Sequence, residues 1–285
     1  MLDKHTLQDD TILITGGGSG LGLAMARTFA SLGAHIAICG RTEQKLIDAT
    51  EEISQKNEQI KVEYYVQDVR DYGGVSEMID SIWSDFGKLN GLVNNAAGNF
   101  LSAAEDLTPG GFKAVVDIVL HGSFNCAHSF GKRAIKAEQS GSILNIVTTY
   151  TETGSGYVLP SASAKAGVLA MGNTLAYEWA QFGIRVNAIA PGPFPTEGAW
   201  SRLVPDEDAE QQFLSKIPMN RYGDHKELAN LAAFLMSDMS PYITGECVTI
   251  DGGEHLKSGQ FNFLDEMVPR PKLRKLFKAM RPSKE

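Results

Sequence analysis

The stretch Thr11-Ile-Leu-Ile-Thr15-Gly-Gly-Gly-Ser-Gly-Leu-Gly22 decides the fold of this chain. A short apolar run rich in β-branched residues ends at Thr15, and glycines follow at positions 16, 20 and 22. Glycines permit a tight turn and a close approach of the backbone to a ligand, and the helix that follows offers N–H groups to a pyrophosphate. The stretch therefore predicts a strand–turn–helix unit that binds a dinucleotide.

The rest of the chain repeats this alternation of short apolar runs with longer helical patterns. We expect strands at Thr11–Thr15, Ala34–Cys39, Val62–Gln67, Gly91–Asn94, Ser142–Val147, Arg185–Ala190 and Cys247–Ile250. We expect helices near Leu21–Leu32, Glu43–Lys56, Val75–Phe86, Gly111–Lys136, Ala162–Phe182 and Lys226–Met236. Strands that are apolar without alternation are buried on both faces of a parallel sheet. Right-handed crossovers between such strands give a doubly wound sheet with helices on both faces. The prediction is an α/β fold, a single-domain Rossmann-type doubly wound parallel sheet over residues 1–285.

Two segments interrupt the alternation. Residues from about 191 to 218 follow a strand with proline, glycine and polar residues, which predicts a flap over a site. A basic C-terminal tail covers residues from about 254 to 285, and it is dense in Lys and Arg from Arg270 onward, with Leu273 and Phe277 interspersed. The tail is either a solvated amphipathic helix packed on the surface or a basic edge that attracts an acidic substrate.

Composition narrows the class of protein. A chain of 285 residues with 43% apolar content buries a large core, and its net charge of −8 argues against nucleic acid as a partner. No apolar run reaches the ~20 residues that a membrane span needs, the first residues lack a signal or transit pattern, and the last three are not a peroxisomal address. Cys39, Cys126 and Cys247 are scattered, which suggests neither disulfides nor a metal site. A cytoplasmic protein is expected.

Several motifs resemble the short-chain dehydrogenase/reductase family. They are the spacing Thr-Gly-x-x-x-Gly-x-Gly from Thr15, Asn94-Asn-Ala-Ala-Gly98, Lys165, Pro191-Gly192 and Asp251-Gly-Gly253. The resemblance runs from Thr11 to Gly253 and implies a homo-oligomer, commonly a tetramer. It also implies dinucleotide contacts from Gly16, Gly18, Ser19, Gly20, Leu21, Gly22, Asp68, Val69, Asn95, Lys165, Pro191 and Gly192.

The end of the predicted second strand favours NADP(H) as cofactor. NAD enzymes place a carboxylate there on the ribose 2′-hydroxyl, whereas this chain reads Cys39-Gly-Arg-Thr42 and offers Arg41 to a 2′-phosphate. The alternative is that Arg41 is a solvated turn cation. Asp68 resembles the position that contacts adenine, and its alternative is a turn or a helix cap.

The expected reaction centre departs from the family's usual Tyr-x-x-x-Lys. This chain reads Ser161-Ala-Ser-Ala-Lys165, with Val119 where the family often has asparagine and Thr148 at the usual hydroxyl position. A serine hydroxyl is a far weaker acid than a phenol, whose pKa is about 10. Because tyrosines stand upstream at Tyr150 and Tyr157, either the acid has moved or the chemistry needs no proton donor at position 161.

This altered pattern resembles the NADPH-dependent 2,4-dienoyl-CoA reductases within the family. The resemblance covers residues 94–100, 148–156, 160–165 and 191–193, and it continues through residues 198–203. The resemblance implies a trans-3-enoyl-CoA product, formed during oxidation of unsaturated fatty acids. It makes Tyr150 the relocated phenol, with Asn99 beside it, while Lys165 holds the ribose of the nicotinamide. Ser161 either positions water or caps the helix that carries Lys165.

An acyl-CoA substrate requires contacts for its phosphate-rich handle. By the same resemblance Arg70 and Arg202 supply them, and Phe100 and Thr108 line the approach; for each arginine the alternative is a solvated surface charge. Three other functions stay open: reduction of another enoyl thioester, carbonyl chemistry that uses Tyr150 or Tyr157, and a catalytically silent NADP-binding protein.

Overall fold

A computed structural model of the protein describes residues 2–57, 59–196 and 206–281. Its centre is a seven-stranded sheet in the order β3-β2-β1-β4-β5-β6-β7, and each pair of neighbouring strands is parallel. The strands are β1 (Thr11–Thr15), β2 (His35–Gly40), β3 (Val62–Val66), β4 (Gly91–Asn94), β5 (Gly141–Ile146), β6 (Ile184–Pro191) and β7 (Cys247–Ile250). The prediction of a doubly wound parallel sheet is confirmed.

Helices cover both faces of this sheet. They are α1 (Gly20–Ser31), α2 (Glu43–Lys56), α3 (Tyr72–Phe86), α4 (Pro109–Val116), α5 (Gly122–Lys136), α6 (Tyr150–Thr153), α7 (Leu159–Trp179), α8 (Glu207–Ser215), α9 (His225–Met236), α10 (Leu264–Met267) and α11 (Arg270–Ala279). None of the helices in the described ranges is long and apolar enough to cross a membrane.

The core follows from the alternation of side chains along each strand. All five residues of β1 are buried, and Ile12 and Ile14 face one layer of helices together with Phe29. Leu13 points to the opposite face, where it lies in a cluster with Phe130. Burial on both faces explains why this strand is apolar without interruption.

The order of the strands places a crevice at the centre of the sheet. β1 lies between β2 and β4, so the chain winds outward in opposite directions on its two sides. In open parallel sheets such a switch point leaves a ligand crevice at the carboxyl ends of the strands. Here those ends are Thr15 on β1 and Asn94 on β4.

Three local features differ from the sequence-based expectations. The predicted helix Gly111–Lys136 is divided by a π-helical turn at Asp117–His121, where the Ser123 hydroxyl donates to the Val119 carbonyl at 2.6 Å. The predicted strand Ser142–Val147 is β5, which spans Gly141–Ile146, and Tyr150 begins a short helix, α6, that was not predicted. The helix that carries Lys165 begins at Leu159, so Ser161 lies in its first turn and is not its N-cap.

The two segments that were predicted to interrupt the alternation contain helices. Within the predicted flap, the Asp206 side chain caps α8 by accepting from the Ala209 N–H at 2.8 Å, and residues 197–205 lie outside the described ranges. The basic tail contains α10 and α11.

Candidate functional site

The glycine turn after β1 is held by hydrogen bonds to the end of β4. The Thr15 hydroxyl accepts from the backbone N–H of Asn95 at 3.0 Å and of Ala96 at 2.9 Å, and the Asn95 side-chain amide donates to the Thr15 carbonyl at 2.9 Å. These contacts fix the two strand ends that form the crevice. Asn95 therefore shapes the turn in addition to lining the crevice.

Two glycines of this turn are required by its geometry. Gly16 adopts a φ of +66°, a left-handed conformation that side chains disfavour. A Cβ on Gly22 would lie 2.4 Å from the Gly16 carbonyl oxygen, so no larger residue fits at the start of α1. The backbone can thus approach a ligand closely at the N-terminus of this helix.

A cavity of about 370 Å³ lies at the carboxyl ends of β1, β2 and β3. Most of the predicted dinucleotide residues line it: Gly16, Gly18, Ser19, Gly20, Leu21, Arg41, Asp68, Val69 and Asn95. Lys45 and Gln67 also line this cavity, and sequence reasoning did not identify them. Lys45 follows Arg41 by four residues in the first turn of α2, and that spacing was the available signal.

Asp68 and Arg70 form an ion pair at the edge of this cavity. The Arg70 guanidinium lies 2.6 Å from the Asp68 carboxylate, which also accepts from the Arg70 backbone N–H at 3.0 Å. The hydrogen bond from Arg70 lowers the pKa of the Asp68 carboxyl. Asp68 thus forms a turn and also lines the cavity, whereas Arg70 does not line it.

A larger cavity of about 1030 Å³ shares a wall with the first at Gly18, Ser19 and Asn95. The candidate catalytic residues line it together with the proline–glycine motif after β6: Asn99, Tyr150, Ser161, Lys165, Pro191 and Gly192. Thr148, the residue at the family's usual hydroxyl position, lines it as well. The two cavities form one crevice with a dinucleotide-type turn at one end and hydroxyl, amide and amine groups at the other.

Tyr150 and Ser161 meet inside the larger cavity. The Tyr150 hydroxyl lies 3.2 Å from the Ser161 hydroxyl, and either group can be the donor. Tyr150 begins α6 shortly after the end of β5, and the Thr151 hydroxyl donates to the Thr148 carbonyl at 3.1 Å within this connection. Ser161 and Lys165 are four residues apart on α7 and so share one face of that helix.

Lys165 is a buried cation at the base of the cavity. Its exposed fraction is 8%, and its ammonium donates a hydrogen bond to the Ile146 carbonyl at the end of β5. Burial lowers the pKa of Lys165 from its usual 10.5 to about 8. The amine is therefore charged near neutral pH and titrates just above it.

Asn99 lies in the loop that follows β4. Its side-chain oxygen accepts from the Phe100 backbone N–H at 2.9 Å. This contact leaves the amide N–H₂ group as the donor that Asn99 can offer to a ligand in the cavity. Asn99 can thus stabilise the loop through its oxygen and donate to a ligand in the cavity through its N–H₂ group.

Four other candidate residues in the described ranges lie away from the cavity lining. Tyr157, the rival tyrosine, is 70% exposed and has a φ of +66° in its loop. The Thr108 hydroxyl caps α4 by accepting from the Gly111 N–H at 3.1 Å, and Phe100 is 38% exposed nearby. Gly22 supports the turn from within α1, and Arg202 lies outside the described residues.

The larger cavity is also lined by residues that were not predicted, among them Thr196 and His225. A Cβ on Gly20 would lie 3.2 Å from the Thr196 side chain, so Thr196 stands next to the glycine turn. The His225 ring lies 2.7 Å from the Pro195 carbonyl oxygen. Thr196 ends the run Pro191-Gly-Pro-Phe-Pro-Thr196, of which only the first two residues were used in the prediction, whereas His225 begins α9. Within the described ranges, no group of His, Cys, Asp or Glu could hold a metal ion.

Comparison with known proteins identifies a family whose members share the sequence region that forms this crevice. The family model described as Enoyl-(Acyl carrier protein) reductase matches residues 16–255, from the glycine turn to the region after β7. The chain belongs to the short-chain dehydrogenase/reductase family. The resemblance that the sequence suggested is therefore confirmed.

Two family members illustrate the similarity in sequence. A Bacillus subtilis protein named probable 2,4-dienoyl-CoA reductase [(2E)-enoyl-CoA-producing] is 43% identical, covering 90% of this chain and 100% of its own. A Caenorhabditis elegans protein named probable 2,4-dienoyl-CoA reductase 3 [(3E)-enoyl-CoA-producing] is 42% identical, covering 91% and 85%. The two names share a substrate class and differ in the double bond that the product retains.

Solved structures of the family show the same fold. A short-chain dehydrogenase from Bacillus anthracis superposes with a TM-score of 0.80 at 43% identity, covering 88% of this chain and 99% of its own. A gluconate 5-dehydrogenase from Burkholderia cenocepacia, solved with NADP and tartrate, gives a TM-score of 0.82 at 31% identity, covering 89% and 98%. Membership of this family supports a nicotinamide cofactor for the chain.

Proposed function

We propose that the protein is an NADPH-dependent reductase that converts a 2,4-dienoyl-CoA to a trans-3-enoyl-CoA. The observation that carries the proposal is the Tyr150 hydroxyl, which lies 3.2 Å from Ser161 inside the crevice. A phenol has thus moved to the neighbourhood of the residue that replaces the family's tyrosine. Relatives at 42–43% identity are named for this substrate class.

The described residues fit a dinucleotide with a 2′-phosphate. The Gly16 and Gly22 geometry opens the N-terminus of α1 to a pyrophosphate, while Arg41 and Lys45 line the cavity at the end of β2. No carboxylate stands in Cys39-Gly-Arg-Thr42 to hold a free 2′-hydroxyl. When bound, NADPH supplies a hydride for the distal alkene carbon of the substrate. Lys165 holds the ribose next to the nicotinamide and keeps this part of the cavity electropositive.

Tyr150 and Asn99 act as donors to the thioester oxygen. As the distal carbon of the conjugated diene accepts hydride, negative charge moves to this oxygen and a dienolate forms. Tyr150 and Asn99 both line the cavity, and their O–H and amide N–H groups would stabilise that charge. One donor of this kind typically lowers the barrier by about 3–4 kcal/mol.

The position of protonation decides which product forms. A proton added to the carbon next to the carbonyl leaves a trans-3-enoyl-CoA, whereas a proton added two carbons further leaves a 2-enoyl-CoA. We propose the first outcome, because Ser161 and Tyr150 lie together and can hold a water molecule near the thioester end of the substrate. The reaction then consumes one hydride and one proton from water.

The coenzyme A handle would lie at the exposed mouth of the crevice. Phe100 follows Asn99 directly, and a Cβ on Gly111 would lie 3.1 Å from its ring, so Phe100 and the Thr108 cap of α4 form one rim. Arg70 is paired with Asp68 but has 43% of its side chain exposed, which leaves donors for phosphate oxygens. We propose Arg70, Phe100 and Thr108 as contacts to the handle, with Arg202 as a further cation.

A second candidate function is reduction of a 2-enoyl thioester. The family model that matches residues 16–255 carries the description Enoyl-(Acyl carrier protein) reductase. The same donors would stabilise the enolate formed from a shorter conjugated system. The two functions differ in the substrate that turns over.

The proposal also covers the oligomeric state of the protein and its cellular compartment. We propose a homo-oligomer, a tetramer by family resemblance, since Phe124 stacks on His128 on α5 and yet remains 46% exposed. Cys39, Cys126 and Cys247 are free thiols, which suits a reducing compartment such as the cytoplasm.

A comparison of substrates tests the proposed function. Oxidation of NADPH is followed with 2,4-hexadienoyl-CoA, trans-2-hexenoyl-CoA and a simple ketone, and the product is identified by proton NMR. The proposal predicts turnover of the dienoyl-CoA alone and a trans-3-enoyl product. Preference for trans-2-hexenoyl-CoA would favour the second candidate, and turnover of the ketone would indicate carbonyl chemistry. NADPH binding without any turnover would indicate a silent binding protein.

A further inference from the structure

The C-terminal tail lies outside the part of the chain that the family shares. The family match ends at residue 255, whereas α10 and α11 follow it. The oxidoreductase site does not use them: neither helix contributes to the lining of the two cavities of the crevice. The tail is therefore separate from the oxidoreductase site.

Helix α11 presents an apolar stripe that is mostly exposed. Leu273, Leu276, Phe277 and Met280 follow the spacing i, i+3, i+4, i+7, which places them on one face of the helix. Leu273 alone is buried and anchors α11 to the protein. Leu276 is 51%, Phe277 46% and Met280 70% exposed. Most of the stripe is thus available to a partner.

The apolar surface continues into the segment before α11. Phe261 is 67%, Phe263 50% and Met267 69% exposed. A stretch of about twenty residues therefore shows aromatic, Leu and Met side chains to its surroundings. Large exposed apolar patches bordered by charged residues mark interaction sites.

The remaining faces of α11 are strongly basic. Six cations lie between positions 270 and 281, with no carboxylate among them: Arg270, Lys272, Arg274, Lys275, Lys278 and Arg281. Within the described residues, none of the six forms an ion pair. Residues 270–285 carry seven Lys or Arg and one Glu in a chain whose net charge is −8, so this positive charge is concentrated in the tail.

We infer that α11 is an interfacial helix that binds the protein to an anionic phospholipid surface. A helix with Lys and Arg on its polar face, Leu and Phe on the other, and low overall hydrophobicity lies in the plane of a membrane interface. The stripe from Leu276 to Met280 would enter the boundary between headgroups and acyl chains. The cations would lie among lipid phosphates, which supply the negative charge that they lack within the described protein.

Vesicle sedimentation tests this inference with the full-length protein. Vesicles of phosphatidylcholine mixed with phosphatidylglycerol are compared with vesicles of phosphatidylcholine alone, at low and at high salt. We expect binding to the mixed vesicles only, weakened by salt. Lys275→Gln combined with Lys278→Gln should weaken binding by about 30-fold. Leu276→Ser, Phe277→Ser and Met280→Ser together should weaken it by at least about tenfold.

Matched variants control for general surface effects. Lys132→Gln with Lys136→Gln removes two exposed charges from α5, and Met239→Ser with Tyr242→Ser removes two exposed apolar side chains from another surface. Both should bind like the wild type, with circular dichroism unchanged for every variant. Absence of binding to the mixed vesicles, or equal weakening by the controls, would overturn the inference. A change of oligomeric mass in the Leu276, Phe277 and Met280 variant would also overturn it, because the stripe would then cover a second copy of the chain.

Discussion

The Tyr150 hydroxyl lies 3.2 Å from the hydroxyl of Ser161, the residue at the family's usual tyrosine position. The two residues come from different elements: Tyr150 begins the short helix after β5, and Ser161 lies in the first turn of α7. A serine at position 161 is small enough to leave room for a phenol that arrives from the neighbouring segment. The proposed chemistry depends on this exchange of one tyrosine position for another.

Ser161 should support the reaction without being essential to it. The Ser161→Ala variant loses the hydrogen bond to Tyr150, and a single such bond contributes about 1 kcal/mol. We expect kcat with 2,4-hexadienoyl-CoA to fall by roughly 3–10-fold. The control is Ser163→Ala, which removes a hydroxyl that donates to the Leu159 carbonyl on the exposed side of the same helix. An unchanged kcat in Ser161→Ala would contradict the assigned role.

Arg41 and Lys45 should determine the preference for NADPH over NADH. Both line the cavity at the end of β2, and hydrogen bonds to charged groups contribute about 1.5–3 kcal/mol each. The double variant Arg41→Ala with Lys45→Ala should raise the Kd for NADPH by about 100-fold or more and leave the Kd for NADH nearly unchanged. Fluorescence titration measures both, with Lys56→Ala as a control on the same helix. If the Kd values for NADPH and NADH rose by the same factor, the two cations would support the folded structure and would not recognise the 2′-phosphate.

The charge of Lys165 should set the alkaline limit of activity. Burial lowers the pKa of this amine to about 8, so the site loses its positive charge as pH rises through that value. We expect kcat/KM for the dienoyl-CoA to fall above pH about 8, approaching tenfold for each further pH unit. The pH profile of kcat/KM measures this limb. A profile that stays flat up to the usual lysine pKa of 10.5 would contradict the role given to the charged amine.

The same titration of Lys165 should also affect the free energy of unfolding, which should rise with pH where kcat/KM falls. Below pH about 8 the folded protein buries a charged amine, which costs stability. Between about 8 and the usual value of 10.5 the folded state has released this proton while the unfolded state still holds it, so the contribution of Lys165 to the free energy of unfolding rises with pH. Urea unfolding of the wild type and of Lys165→Met at several pH values measures the difference. The Lys165→Met variant should be more stable than the wild type below pH about 8, and this difference in free energy of unfolding should shrink between about 8 and 10.5. A difference that stays constant over this range would contradict the assignment.

The sequence predicted the strands and helices well because the local preferences of their residues match the conformations that the packed fold requires. The glycine turn after Thr15 needs conformations that glycine alone supplies cheaply, and the helix Glu43–Lys56 ends where predicted. The site was harder to predict. The spacing of Lys45 from Arg41 gave only a weak signal, because the placement of α2 decides whether Lys45 lines the cavity. The π-helical turn at Asp117–His121 has no local signal within an otherwise regular helical pattern.

The position of Tyr150 illustrates the same limit. The sequence showed that a tyrosine was missing at position 161 and that two others stood upstream. The distance between hydroxyls depends on where α6 and α7 lie, which is a tertiary property. Family resemblance selected Tyr150 over Tyr157, and the structure places Tyr150 in the cavity lining, while Tyr157 is 70% exposed.

The most direct test of the account is the rate of NADPH oxidation with 2,4-hexadienoyl-CoA in the wild type, in Tyr150→Phe and in Tyr157→Phe. Loss of the phenol that stabilises the dienolate should lower kcat in Tyr150→Phe by a factor on the order of 10²–10³, with the Kd for NADPH unchanged. The exposed Tyr157 should be replaceable without effect. A Tyr150→Phe variant that turns over the dienoyl-CoA at the wild-type rate would contradict the central claim that the catalytic phenol has moved to position 150.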